Sequence, residues 1–172
     1  NNITASSSTL VAGTNIGVSG DSLDTSVATL SATANAGSVF IRESNAVTLA
    51  SITATGAGND VVITNDTGDM TVTAVSAADE INLTAAGGLL DNNGATNNLS
   101  GASATLTAGT NIGTLADPLD TSVVSFTAAG NAGSVFIREA DAVTLTSVTA
   151  TGAGNDVVVS NDTGTLTVVT VS

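Results

Sequence analysis

Acidic side chains set in glycine-rich turns are the groups of this chain best suited to chemistry. GAGNDVVI spans residues 56–63 and returns as GAGNDVVV at residues 152–159. Asp60, Asp66 and Asp69 lie in or just after the first block, Asp156 and Asp162 in or after the second. In a stacked structure that spacing would set carboxylates on successive turns, where they could hold calcium. Calcium takes six to eight oxygen ligands. The block occurs once per 96 residues, however, and Thr165 stands where the first copy has Asp69. Asn-Asp and Asp-Thr-Gly are also ordinary turn formers. The expectation is a turn, with calcium the one cofactor these residues could take and no other cofactor implied.

The GAGND block resembles the calcium-binding nonapeptide of toxin-type repeats. That resemblance implies consecutive copies sharing each ion between adjacent coils, and the block is not consecutive here.

Arg42 and Arg138 are the only cations against 15 Asp and Glu, for a net charge of −13. Each follows VFI and precedes a glutamate. The plain expectation for Arg42-Glu43 and Arg138-Glu139 is a turn-side ion pair between neighbouring coils. The sharper one makes Arg42 and Arg138 interface residues that enter a groove on a neighbouring subunit. A chain this poor in cations cannot neutralise phosphates, which excludes nucleic acid as a partner and argues against anionic membranes. No apolar run reaches the length of a membrane span, so membrane insertion is not expected.

Without His or Cys there is no imidazole base, no thiol nucleophile and no ordinary zinc site. Glycoside-cleaving sites need paired carboxylates, usually beside cations and aromatic sugar platforms, and this chain has no Trp or Tyr. No enzyme and no catalytic residue is expected.

Thr-x-Thr pairs recur at Thr53/Thr55, Thr71/Thr73, Thr105/Thr107, Thr144/Thr146, Thr149/Thr151 and Thr165/Thr167. Stacked on a flat face they could order water and bind ice. The pairs fall in different registers, with Val and Ala between them, so β-propensity and Thr ladders are the simpler account. Asn-x-Ser/Thr sequons begin at Asn2, Asn65, Asn82, Asn98 and Asn161.

What must position these groups is a repeat. Residues 1–76 realign without a gap onto residues 97–172, with about 50 of the 76 pairs identical. NAGSVFIRE and TATGAGNDVV are the longest shared blocks. A long exact period marks a repeat architecture, in which tandem copies extend a shape. The division is 1–96 for a first superrepeat of about four coils and 97–172 for a second, truncated one.

Thr, Val and Ile favour strands, 18 Gly punctuate turns, and no segment has helical periodicity. Val39-Phe40-Ile41, Val61-Val62-Ile63 and Ile81-Asn82-Leu83 align within the unit, as do Val47-Thr48-Leu49 and Met70-Thr71-Val72. This predicts an all-β parallel β-solenoid with about three short strands per coil. Roughly seven coils at strand spacing make a rod of about 30–35 Å. An immunoglobulin-like pair or a β-barrel is the alternative, since a 96-residue unit matches one sandwich domain in length. Ile52/Val148, Ile63/Val159, Met70/Leu166 and Leu30/Phe126 differ between copies yet stay apolar, so they read as inward-facing. Val39, Ile41, Val47, Leu49, Val61 and Ile63 are the expected core, and Gly37, Gly56 and Gly58 the expected turn glycines. Neither end carries an amphipathic cap, and uncapped sheet edges recruit strands. The chain opens and closes inside a repeat, so it reads as part of something longer.

The blocks AGTNIGVSGDSLDTSV and AGTNIGTLADPLDTSV, with SVFIRESNAVTL and MTVTAVSAADEINLTAAGGLL, resemble the repeats of filamentous-haemagglutinin-like bacterial adhesins. These are giant surface proteins of the two-partner-secretion type. The resemblance covers essentially the whole chain. It implies a right-handed parallel β-helix, a location outside the cell or on the bacterial surface, and a role as stalk, fibre or filament. The partners implied are flanking repeats or further copies stacked end to end, and a receptor on a host or neighbouring cell. A ligand-binding solenoid face for calcium, glycan or ice is the alternative function.

Overall fold

The computed structural model describes all 172 residues. It is an all-β parallel solenoid of about eight turns with no helix, successive stacked strands lying about 22 residues apart and roughly three to a coil. The strands are β1 (Ile3–Ala12), β2 (Leu23–Ala34), β3 (Val39–Glu43), β4 (Val47–Ala54), β5 (Val61–Asn65), β6 (Met70–Val72), β7 (Val75–Ala77) and β8 (Glu80–Ala85). They continue with β9 (Leu89–Asp91), β10 (Leu99–Ala108), β11 (Leu119–Gly130), β12 (Val135–Glu139), β13 (Val143–Ala150), β14 (Val157–Asn161) and β15 (Leu166–Val168). Every ladder between named strands is parallel. That excludes a sandwich built from antiparallel hairpins.

Side-chain alternation turns these strands into a core. In Val39–Glu43 the odd residues are buried and the even ones face out. The same parity runs through β5 and β8, so the three strands stack Val39 on Val61 on Ile81 and Ile41 on Ile63 on Leu83. Thirty-five buried apolar residues form one continuous cluster along the rod. The six expected core residues are all in it, as are Leu30, Ile52, Met70, Phe126 and Val148. Leu166, the counterpart of Met70, lies on the terminal coil and is 39% exposed.

Each coil has two long sides. One is a single strand such as β5. The other is a pair such as β6 and β7, both of which lie against the longer β4. A stack on the first side runs Ile16, Val39, Val61, Ile81, Ala104, Phe126. A stack on the second runs Val47, Met70, Leu89, Ile112, Val135, Val157. Ile16 and Ile112 are one period apart, yet they belong to different sides. Val39/Val135 and Val61/Val157 part in the same way. The exchange is reciprocal: Leu49 lies on the second side, between Leu30 and Val72, whereas its counterpart Leu145 pairs with Phe126 on the first. Four stacking steps carry Ile16 to Ala104, and the last eight residues of the period carry the chain across to Ile112. The 96-residue unit therefore holds four and a half coils rather than about four.

Candidate functional surfaces

The two arginines lie on the surface and are tied to carboxylates of neighbouring coils. Arg42 pairs across a ladder with Asp24 in one coil and Thr64 in the next. Its Nε donates to Asp66 Oδ1 at 3.0 Å. Arg138 spans three coils: Nη1 lies 3.2 Å from Asp120 Oδ1 and Nη2 lies 2.7 Å from Asp162 Oδ2. These carboxylates push both guanidinium pKa values upward, Asp66 at Arg42 and Asp162, then Asp120, at Arg138. Asp120 is almost fully buried, and burial raises its pKa although Arg138 pulls the other way.

The glutamates that follow are not the partners of these arginines. Glu43 and Glu139 obey strand parity and point into the rod, both fully buried. Glu43 accepts from Thr25 Oγ1 at 2.6 Å and from the amides of Val27 and Asn45 at 3.1 and 3.2 Å. Glu139 repeats the arrangement with Thr121 Oγ1 at 2.6 Å and the Val123 amide at 3.1 Å. Burial raises the Glu139 pKa against those hydrogen bonds. The expected Arg–Glu ion pair is thus replaced by an Arg–Asp pair between coils and a buried carboxylate that ties one coil to the next. A charged residue at an inward position needs donors on all sides, and the turn supplies them.

The aspartates of the GAGND blocks are spread along the corners. Asp60 Oδ1 accepts from the Glu80 amide at 3.1 Å, and Asp69 Oδ1 accepts from the Gly88 amide at 2.7 Å. Asp66 and Asp162 face the arginines. The Asp156 amide donates to Ser134 Oγ at 3.0 Å. No three His, Cys, Asp or Glu side chains converge as a metal-binding group. Gly56 and Gly58 take positive φ, as their turn requires.

Two of the sequon asparagines are structural. Asn65 and Asn98 are buried. Asn65 donates to the Asn45 and Thr67 carbonyls and accepts from the Ala86 amide. Asn98 donates to the Val72 carbonyl and to Asp91, and accepts from the Asp120 amide. Neither is open to glycosylation; Asn2 is exposed, and Asn82 and Asn161 are half-buried.

The feature that pair-spotting misses is a lattice of hydroxyls. On the second side Thr29, Thr48 and Thr71 stack in one line, and Thr33, Thr53 and Ser76 in another. On the first side the lines are Ser103, Ser125 and Thr144, then Thr105, Thr127 and Ser147. The recurring Thr pairs do split, as their spacing suggests. Thr55 and Thr151 leave the face, and their hydroxyls bond to corner carbonyls. The aligned hydroxyls come from one member of a pair (Thr53, Thr71, Thr105, Thr144) together with unpaired Ser and Thr at outward strand positions.

One shallow groove of about 300 Å³ follows a corner of the rod, lined by Ser76, Ala77, Ser100, Gly101, Ser122 and Val123 among others. It forms where small residues of three successive coils stack. Of its lining, only Asp141 carries charge. The chain matches no known family, no curated protein and no solved structure.

Proposed function

We propose that the chain is a stiff segment of an extracellular, surface-exposed structural or adhesive fibre, of the kind its resemblance to filamentous-haemagglutinin-like repeats implies. The observation that carries this is the parallel stacking of every strand over a single apolar core. Such a rod has no hinge, and it can be lengthened by adding coils without a new fold. Its carboxylates sit mainly at corners, where they keep it soluble. The reading assigns no catalytic residue and no resident cofactor. Its partners are further copies or flanking repeats meeting at the open sheet edges, and a receptor on another cell surface.

Electron microscopy of the native material tests it. Rods or filaments of one coil's width are expected, with lengths set by repeat number. Isolated compact particles would remove the fibre reading. Limited proteolysis gives a second measure: cleavage is expected only in corner loops such as 92–97 and 113–118.

A further inference from the structure

We propose that the two hydroxyl lattices bind the surface of ice, one from each side of the rod. This does not rest on the fibre reading.

Four observations lead there. First, the outward Ser and Thr form regular rows. Neighbouring coils put them about 4.8 Å apart, and alternate residues of one strand are about 6.6–6.8 Å apart. The rectangle is unbroken between β1 and β2 and between β10 and β11, and a one-residue register shift after Leu30 and after Phe126 offsets it on the next coil. That rectangle lies close to the oxygen spacings on faces of hexagonal ice. Second, apart from Thr105, which donates to Glu80 at 2.7 Å, the lattice hydroxyls are left without a side-chain partner and face solvent. Third, the lattice positions keep their hydroxyl between the two copies, except that Thr33 becomes Ala129. Thr29 becomes Ser125 and Ser31 becomes Thr127, while Thr48/Thr144, Ser51/Ser147 and Thr53/Thr149 are unchanged. A Thr-to-Ser exchange discards the β-branch that favours strands and keeps the hydrogen-bonding group. Strand propensity alone would not select that. Outward positions off the lattice change class freely, as in Ser19/Leu115 and Asp69/Thr165.

Fourth, charge is segregated. In a chain of net charge −13, no carboxylate stands in the lines through Thr29, Thr33 or Thr127, and the one in the remaining line, Glu80 beside Ser103, is engaged by the Thr105 hydroxyl. An ionic ligand would find nothing to pair with there, and a sugar would find no aromatic ring on which to stack. A neutral, rigid, two-dimensionally periodic array of hydroxyls and methyls is suited to a neutral periodic surface. Because the period is four and a half coils, the lattice of residues 7–76 lies on one side and that of residues 103–167 on the other.

Ice-affinity partitioning and thermal hysteresis of the intact chain test this, with Thr48→Tyr, Thr127→Tyr and the double variant. Tyrosine suits a strand but breaks the flatness of its row. Circular dichroism verifies that each variant folds, and Leu115→Ser, at a loop residue 76% exposed, serves as the off-lattice control. The native chain and the control should be enriched in the ice fraction and should shape growing crystals. Each single variant should lose part of that activity, and the double variant all of it. Exclusion of the native chain from ice overturns the proposal, as does a double variant that behaves like the native chain. Thr48-dependent binding to insoluble cellulose or chitin without ice enrichment overturns it in favour of a crystalline polysaccharide. Reversible self-association lost in the double variant, again without ice enrichment, overturns it in favour of a second copy.

Discussion

Arg42 and Arg138 occupy the same place in two copies of one sequence and project from opposite sides of the rod. Arg42 stands in the ladder between Asp24 and Thr64, and Arg138 in that between Asp120 and Ser160. The cause is arithmetic: 96 residues fill nine sides of a two-sided coil. Every surface feature of the repeat is thereby shown on alternate sides, while the core sees the same apolar residues from both.

The surroundings of the two arginines differ although their sequence context matches. Asp24 makes no ion pair with Arg42, whereas the buried Asp120 is held by Arg138. Arg138→Ala should lower the melting temperature clearly, since it leaves a buried carboxylate unpaired. Arg42→Ala removes one exposed pair and should barely move it. Thermal melts at low salt compare the two; equal effects would contradict the geometry.

Glu43 should matter more than either arginine. Replacing it with Ala removes the acceptor for the buried Val27 amide, and an unsatisfied buried amide costs about 1–3 kcal/mol. In a chain of this size each kcal/mol corresponds to about 2–4 °C in Tm. Glu43→Gln, which keeps an acceptor oxygen, should recover part of the loss. Denaturant titration of the two variants beside the native chain measures it.

Acid should stabilise this protein over a limited window. Burial raises the pKa of Glu139 from its ordinary 4.5 and that of Asp120 from its ordinary 3.8. A carboxyl with a higher pKa when folded binds its proton more tightly in that state. Its effect favours folding below the unfolded value and fades as pH climbs through the raised one. Lowering pH from neutrality through that window should raise Tm, and protonation also relieves the self-repulsion of a net charge of −13. Glu139→Gln should flatten the rise. A Tm that falls steadily on mild acidification would contradict the shifts.

Much of this fold is legible in the sequence because alternation is a local property. Val39, Ile41 and their counterparts in β5 and β8 announce both the strand and its buried face. The same parity places Glu43 inside, one step after Ile41, but a charged residue beside an arginine invites an ion-pair reading instead. Asn65 ends β5 at the same inward step. What parity cannot supply is the side of the coil. Similar strand-and-turn segments align whether they lie on one side or the other, so four coils and four and a half look alike until Ile16 and Ile112 are followed through their ladders. The hydroxyl lattice is hidden for the same reason. Thr29, Thr48 and Thr71 are 19 and 23 residues apart, and corner loops of unequal length conceal the alignment.

Calcium should leave stability unchanged. The oxygens of Asp60 and Asp69 already accept backbone amides, and Asp66 and Asp162 already face arginines. A bound ion would have to displace those partners. Melting curves with excess chelator and with added calcium should superimpose. A specific rise in Tm with calcium that magnesium does not reproduce would place an ion at these turns after all.

The strongest test of the register is removal of a whole coil. Val39 stacks directly on Val61, and Val47 on Met70. Deleting residues 39–60 therefore joins Ser38 to Val61 and puts β5 where β3 stood. It likewise puts β6 and β7 where β4 stood, with every inward residue still inward. The shortened chain should fold, keep its parallel β spectrum and melt cooperatively. Deleting residues 39–46 instead, about half a coil, puts β4 where β3 stood and moves every later strand to the wrong side of the rod. Residues 1–38 then meet the wrong side of the coils that follow: Leu49 no longer lies against Leu30, and the buried Glu43 carboxylate that accepts from Thr25 and the Val27 amide is gone. That shorter deletion should unfold the rod although it removes fewer residues. Equal stability of the two deletions would mean that the sides are interchangeable and that four and a half coils have no structural meaning.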